Sequence, residues 1–502
     1  MSFRPEPARP TGRHKMLSKR VKMLGVGADI GVTVALQVLG SAVAFLFQML
    51  VLRALSKDDS GIYFLVNSYV TIASGLGDFG LAAVITPRLS VARGEATPAF
   101  KVAVHIRIAA LLLSWILLNL YLVIIGQGQL LLLTNAAYLW VLLSSRATGL
   151  RQLYEILWRL RGRTYVITAI TMIDATIGLV GLYLVYRFGH VTTLEALFIS
   201  SVCNLPGFIV VMIPIISRLR ASGVMRVRIP RRFYTGMVMA SLPVGLMGFL
   251  GQVSGQLETL VIGMSRTMTT SDISAFNAAT KPLIATLFIA VAVSYGVVPI
   301  IAQSTKGVRN DHSFAFIVSL TLRILGVIGM GGAVVAILFA REIMSIFGPQ
   351  FIGDAYILKM YSLVSALVYL VVMFDQFLLA IGQRKQTLYG AMLYLGIALV
   401  TELFAVRSWG ISGLIFAKTF ATFCMLAFQA SRFSPEIRVA ILKATARLLP
   451  SIGVMAAALL LTGEMELIPR SLIVILSTIG AVLLSRAVTV AELVTLKSMR
   501  IR

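Results

Sequence analysis

The chain has 502 residues, of which 58% are apolar and 13% charged, with a mean hydropathy of +0.90 and a net charge of +25. Soluble proteins carry roughly 25% charged residues, so the polar surface of a water-soluble globule is missing and the composition is that of a polytopic membrane protein. Cys203 and Cys424 both lie inside apolar runs and His14, His105, His190 and His312 are scattered, which excludes a disulfide scaffold and gives no metal-ligand spacing.

In chain order, residues 1–22 form a basic tail with Pro5, Pro7 and Pro10, expected to be disordered and held near anionic lipid headgroups. No short apolar region with a small-residue cleavage site follows it, so it is not expected to be a cleavable signal. Apolar runs long enough to span, about 20 residues each, then occur near 28–52, 61–86, 108–126, 128–145, 164–186, 191–217, 235–262, 273–303, 314–339, 356–382, 386–405, 408–431, 448–465 and 468–485. Continuous runs of this length predict helices, because membrane strands alternate over shorter segments. The expected fold is therefore an all-α polytopic membrane protein with about 14 transmembrane helices.

Orientation follows from Lys and Arg. With the N-terminus in the cytoplasm, alternate segments place 34 of the 45 basic residues on that side and 7 on the other. Both termini are thus expected to be cytoplasmic, and the net charge is a topology signal instead of a nucleic-acid footprint. There is no GxxxxGK[ST] phosphate loop and no loop large enough for a nucleotide-binding domain, which argues against ATP-driven transport within this chain.

A faint internal repeat is present. Ser56 to Tyr63, after the first span, leads into a helix expected to close at Pro87; Thr269 to Phe276, after the seventh, leads into one expected to close near Pro299. Asp59 and Asp272 are 213 residues apart and Pro87 and Pro299 are 212 apart. Spans 1 and 7 start on the same side, which predicts parallel six-helix repeats about an axis along the membrane normal. The domains expected are the tail 1–22, an N-terminal lobe 23–232, a C-terminal lobe 233–432, and two additional helices with the C-terminus in 433–502.

Several segments carry a resemblance. They are Leu52-Arg53-Ala54-Leu55-Ser56-Lys57-Asp58-Asp59-Ser60-Gly61-Ile62-Tyr63, Asp78-Phe79-Gly80-Leu81, Tyr154-Glu155-Ile156-Leu157-Trp158-Arg159-Leu160-Arg161-Gly162-Arg163 and Glu258-Thr259-Leu260-Val261-Ile262-Gly263. Ala275-Phe276-Asn277-Ala278-Ala279, Val298-Pro299, Ile346-Phe347-Gly348-Pro349-Gln350-Phe351, Ile381-Gly382-Gln383-Arg384-Lys385 and Trp409-Gly410-Ile411-Ser412-Gly413 continue it. In order and spacing over residues 30–430 the chain resembles the polysaccharide transporter (oligosaccharide flippase) family, in the superfamily that includes multidrug and toxic compound extrusion transporters and lipid II flippases. Glu258 departs from the pattern, since similar sequences often carry Asp there. The resemblance implies two six-helix lobes around a central cavity. It also implies a polyprenyl-diphosphate-linked oligosaccharide as cargo, moved from the cytoplasmic to the outer leaflet.

Charges within spans are costly and need a partner, water or a function. Asp174 lies ten residues into span 5, and Lys281, Arg323 and Lys418 each lie roughly 12–15 Å from a helix end by helical rise. The three basic residues are the candidate phosphate contacts, since Lys and Arg in a low-dielectric cleft bind phosphate oxygens strongly. Each has an alternative: Lys281 pairing with Glu258, Arg323 snorkelling to an interface, Lys418 packing among Ala417, Thr419, Ala421 and Thr422. Asp174 is the candidate site for coupling to H⁺ or Na⁺, or else a structural hydrogen-bonding group, for example to Thr171. Asp78, Asp375 and Glu402 read as structural, and Arg53 and Lys359 as interfacial anchors. Gly75, Gly77 and Gly80 suggest close helix approach or bending, Gly251 and Gly255 a tight GxxxG packing face, and Pro206, Pro243 and Pro282 kinks.

The expected activity is lipid-linked oligosaccharide flipping by alternating access for surface or exopolysaccharide biosynthesis, in a bacterial inner membrane, without covalent chemistry. It needs no cofactor beyond a possible coupling ion. Its expected partners are the cargo, membrane lipids, and polysaccharide polymerase and export proteins, with no nucleic acid. The alternative is a cation-coupled multidrug exporter, which would favour acidic cavity residues. A membrane-embedded glycosyltransferase or polymerase would need catalytic acids or arginines in larger outer loops.

Overall fold

The computed structural model describes residues 12–91, 98–145, 148–221, 227–304 and 311–461, with positions 473, 476, 477 and 480 beyond them. The first half of the chain forms α1 (Gly12–Ala54), α2 (Lys57–Asp78), α3 (Leu81–Val91), α4 (Pro98–Ile124), α5 (Leu131–Ser144), α6 (Leu150–Leu160), α7 (Thr164–Phe188), α8 (Thr193–Val202) and α9 (Leu205–Ala221). The second forms α10 (Arg231–Met264), α11 (Thr270–Ser304), α12 (Asp311–Leu338), α13 (Ala340–Phe347), α14 (Ala355–Ala380), α15 (Arg384–Ser431) and α16 (Pro435–Leu461).

Among the described residues nine helical segments are long and apolar enough to cross a membrane, or ten if the bent pair α2–α3 is one span. The protein is a multi-pass membrane protein, and three features account for the difference between this count, made among the described residues, and the about 14 spans expected. The fourth expected span is short, with α5 preceded by a single 3-10 turn, Gly128–Leu130. The eleventh and twelfth are one continuous element, α15, folded at Gly410 (φ 57, ψ −138). Gly390 lies against Phe428 and Gln429, so the two legs of α15 run antiparallel as a hairpin. The fourteenth expected span, and the end of the thirteenth, lie outside the described residues apart from the four isolated positions.

Several helices break where the sequence supplies a breaker. Phe79 (φ 52) and Gly80 (φ 64) take left-handed conformations between α2 and α3, which diverge by 43°. Positive φ is nearly free for glycine, and here Gly80 also lets two backbones meet, because a Cβ on it would sit 2.4 Å from the Gly245 nitrogen. Pro87 does not end its helix as expected: it lies inside α3, and α11 likewise runs past Pro299 to Ser304. The glycines of α10 divide differently from the expected packing motif. Gly245 touches the Phe79 backbone, whereas added Cβ atoms on Gly248, Gly251 and Gly255 would meet nothing within 4 Å.

The two halves of the chain meet at the turns that begin α2 and α11. Ser56 caps α2 by accepting from the Asp59 N–H at 3.1 Å, and the Asp272 carboxylate accepts from the Thr269 N–H at 2.8 Å. These two turns touch: Ser60 and Ser274 share a hydroxyl–hydroxyl bond of 2.5 Å, and Thr270 donates to Asp58 at 2.8 Å. Around them Lys57 pairs with Asp354 at 2.8 Å, Arg53 donates to the Ile346 carbonyl at 2.6 Å, and Gln350 donates to the Leu52 carbonyl. A buried apolar cluster spanning both halves, including Tyr63, Phe64, Phe276 and Phe347, underlies this end. Two further clusters each belong mainly to one half, one around Phe100 and Tyr154, the other around Phe314 and Phe377. Apolar contact between helices gains little over lipid contact, so close backbone approach and these polar bonds hold the halves at this end.

A Cβ at Gly61 would stand 1.9 Å from the Thr270 carbonyl oxygen. Ser60→Cys with Ser274→Cys is expected to cross-link under mild oxidation, and adding Gly61→Val is expected to abolish the cross-link by forcing the turns apart. Gel mobility of the protein oxidised in membranes checks both.

Candidate functional site

The second half of the chain encloses a cavity of about 520 Å³ between α10, α11, α14 and α15. Its walls are mainly apolar and aromatic, and its polar groups include Glu258, Lys281, Lys418, Asn277, Tyr361 and Tyr394. Gly251 and Gly255 line it as well, which is why no protein atom faces them.

Lys418 is carried on the returning leg of α15. It is buried, forms an ion pair with Glu258 of α10, and its ammonium lies 5.6 Å from the ring centre of Tyr361. The expected partnership of Lys281 with Glu258 is therefore corrected: the α15 hairpin brings Lys418 to the face of α10 that carries Glu258. Lys281, on α11, has its ammonium 4.9 Å from the ring centre of Phe64, which comes from α2 in the other half. Among the described residues no carboxylate pairs with Lys281. A cation held by an aromatic face and a cavity wall keeps its charge available to an anion entering the cavity. Beside this pair Glu402, on the outgoing leg of α15, is fully buried, and neither of its carboxyl oxygens has a hydrogen-bond partner among the described residues.

Arg323 is not part of this site. It is buried in α12, donates to the Ser319 carbonyl at 3.3 Å, and does not line the cavity. Asp375 accepts from Gln429 at 2.7 Å, and Lys359 is exposed.

The first half holds two charge networks, whose arginines, Arg107 and Arg151, lie outside the expected spans. Arg107, fully buried, donates to Asp78 at 2.5 Å, to the Thr148 carbonyl at 2.8 Å and to Gln152 at 2.7 Å. Arg151, also fully buried, donates to Glu155 at 2.8 Å and to Asp174 at 2.6 Å. Asp174 further accepts from the Gly207 N–H at 3.0 Å, and only glycine fits there, since a Cβ would come within 2.2 Å of the carboxylate. The candidate coupling carboxylate thus sits in an ion pair with a backbone donor. Residues 150–160 carry the available signal: Leu150, Leu153, Tyr154 and Leu157 make one helical face, and Arg151 with Glu155 makes an i,i+4 pair.

Among solved structures, one described as the lipid II flippase MurJ in an inward closed conformation matches with a TM-score of 0.67 at 14% identity, over 90% of this chain and 97% of that one. An inward-facing multidrug resistance MATE transporter of the MOP superfamily matches with a TM-score of 0.55 at 14% identity, over 81% and 95%. The chain has the fold of the MOP-superfamily transporters. The MATE multidrug transporter DinF-BH, solved as a complex, gives 0.56 at 15% identity, over 82% and 96%. No family model matches the sequence, and neither does any curated protein.

Removing one member of a buried charge network leaves the others unpaired, at a cost of about 3–5 kcal/mol. Arg151→Ala is therefore expected to destabilise the protein strongly, and Gly207→Val to do the same by displacing Asp174. Lys281→Ala, which unpairs nothing, is expected to leave thermal stability near wild type, as read by size-exclusion of detergent-solubilised protein after heating.

Proposed function

We propose that this protein flips polyprenyl-diphosphate-linked oligosaccharides from the cytoplasmic to the outer leaflet of a bacterial inner membrane by alternating access. The observation that carries this reading is the pair of lysines, Lys281 and Lys418, lining one cavity whose lining among the described residues holds a single carboxyl side chain, Glu258. Two ammonium groups beside a mainly apolar cavity suit a diphosphate on an isoprenoid better than a cationic drug, which wants excess acid. The fold it shares with a lipid II flippase supports the same choice.

In this scheme residues 23–232 and 233–432 are the two lobes, residues 433–502 an appended pair of helices, and both termini face the cytoplasm. The turns joined by Ser60, Ser274, Lys57 and Asp354 then lie on the outer side, and their contacts close the cavity to the outside in this state. Lys281 spans the lobes through Phe64, so opening that side removes the ring from the ammonium. Phosphate contacts are assigned to Lys281 and Lys418 and not to Arg323, which does not line the cavity, while Asp174 is paired with Arg151.

Deleting the gene is expected to accumulate lipid-linked repeat units in the cell and to remove surface polymer, read by mass spectrometry of extracted lipids and polysaccharide. Unchanged polymer with new sensitivity to cationic compounds would instead favour multidrug export. In the complemented strain, Lys281→Ala and Lys418→Ala are each expected to lower surface polymer about ten-fold or more, the worth of a charge-assisted phosphate contact. Lys359→Ala is expected to leave it near wild type.

A further inference from the structure

A second pocket, of about 480 Å³, lies in the first half of the chain between α3 and α6. The small side chains Ala82 and Ala83 of α3 share it with Ile156 of α6 and leave the gap unfilled. Ala83, Pro87 and Arg159 are exposed, so the pocket opens at the protein surface. Its polar groups are fixed from behind. The buried Arg107 donates to Gln152 Oε1 at 2.7 Å, so the Gln152 amide presents its N–H groups to the pocket. Arg159 gives one nitrogen to Glu155 at 2.9 Å, and Arg151 takes the other oxygen of that carboxylate. The Arg159 side chain stays 55% exposed, which leaves the remaining donors of its fork to an outside acceptor. Among the described residues no carboxylate lines the pocket. Arg88, next to Pro87, and Arg163, past the end of α6, each lie 5.8 Å from a ring centre, of Phe233 and Trp158, and add positive charge at this end.

Gln152, Ile156 and Arg159 form one stripe of α6, so the two donor groups stand about 10 Å apart by helical rise with an apolar wall between them. We infer that the pocket binds one anionic glycerophospholipid, with its phosphate on Arg159, an acyl ester carbonyl on Gln152 and its chains on the apolar walls. Basic pockets between membrane helices on the cytoplasmic side take anionic head groups, and a choline or ethanolamine group would place a cation among three guanidiniums. A prenyl diphosphate has acceptors at the Arg159 level alone and would leave the Gln152 donors unmet, so the geometry favours a resident lipid over the cargo. In the orientation proposed above this lipid belongs to the inner leaflet, and it ties α3 to α6 across the gap that their side chains leave open. The site stands on the first half alone and is independent of what the second-half cavity carries.

Native mass spectrometry of the full-length protein, delipidated in detergent and titrated with dioleoyl phosphatidylglycerol, reads the site. Wild type is expected to take up one molecule more tightly than any that follow. Arg159→Gln is expected to weaken that first step about ten-fold or more, the worth of a charge-assisted phosphate contact. Ala83→Phe, which fills the pocket from an exposed position, is expected to lose the same molecule, and Lys281→Ala in the second-half cavity to keep it. Dioleoyl phosphatidylcholine is expected to show no distinct first step. Equal binding of the two lipids by wild type overturns the site, and so does a first phosphatidylglycerol step unchanged in both pocket variants. Displacement of that first molecule by an equimolar amount of farnesyl diphosphate overturns the resident lipid and makes the pocket a station for the cargo.

Discussion

The ion pair between Lys418 and Glu258 organises the second half of this protein. An ammonium within a helix bundle surrounded by lipid must be met by an opposite charge or by water, and here the opposite charge lies on a different helix. The pair ties the returning leg of α15 to α10, and α10 is also the helix whose Gly245 presses against the Phe79 backbone of the first half. The fold at Gly410, which sends α15 back on itself, is what brings Lys418 to that position. Helix register, cavity wall and contact between halves thus follow from one electrostatic requirement.

The two halves meet that requirement in different ways. In the first, Arg107 is met by a carboxylate, a carbonyl and an amide oxygen and Arg151 by two carboxylates and a carbonyl, and their charge is consumed in holding α2, α4, α6 and α7 together. In the second, Lys281 is held by the face of Phe64 and Lys418 by one glutamate. Guanidinium groups suit the first task because they offer several donors in a fixed fork, while a lysine ammonium is a point charge that can turn toward a new partner. The chemistry of the two cation types therefore separates a scaffold from a site.

Much of the fold is legible in the sequence because lipid imposes a crude rule, a run of apolar residues for every crossing. The turns at Ser56 and Thr269, the break at Phe79–Gly80 and the buried charges Lys281, Lys418 and Glu258 can all be picked out in one dimension. Their partners cannot. Which carboxylate meets which lysine depends on how far each helix slides and rotates against its neighbours, and the sequence points to Lys281 as the mate for Glu258 where the α15 hairpin supplies Lys418. Arg107 and Arg151 mislead for a related reason. Basic residues close to span ends carry the orientation signal, so an arginine that a helix extension such as α6 draws into the protein looks like one more loop charge.

Along the cavity, α10 presents Gly251 and Gly255 to open space, where an added methyl group would touch no other atom. Bulk placed at these positions enters the void without displacing protein, so the dimensions of what the cavity admits are uncoupled from the packing that keeps the helices together. Two positions on one helix thus set the bore of the void while the bundle around it keeps its packing.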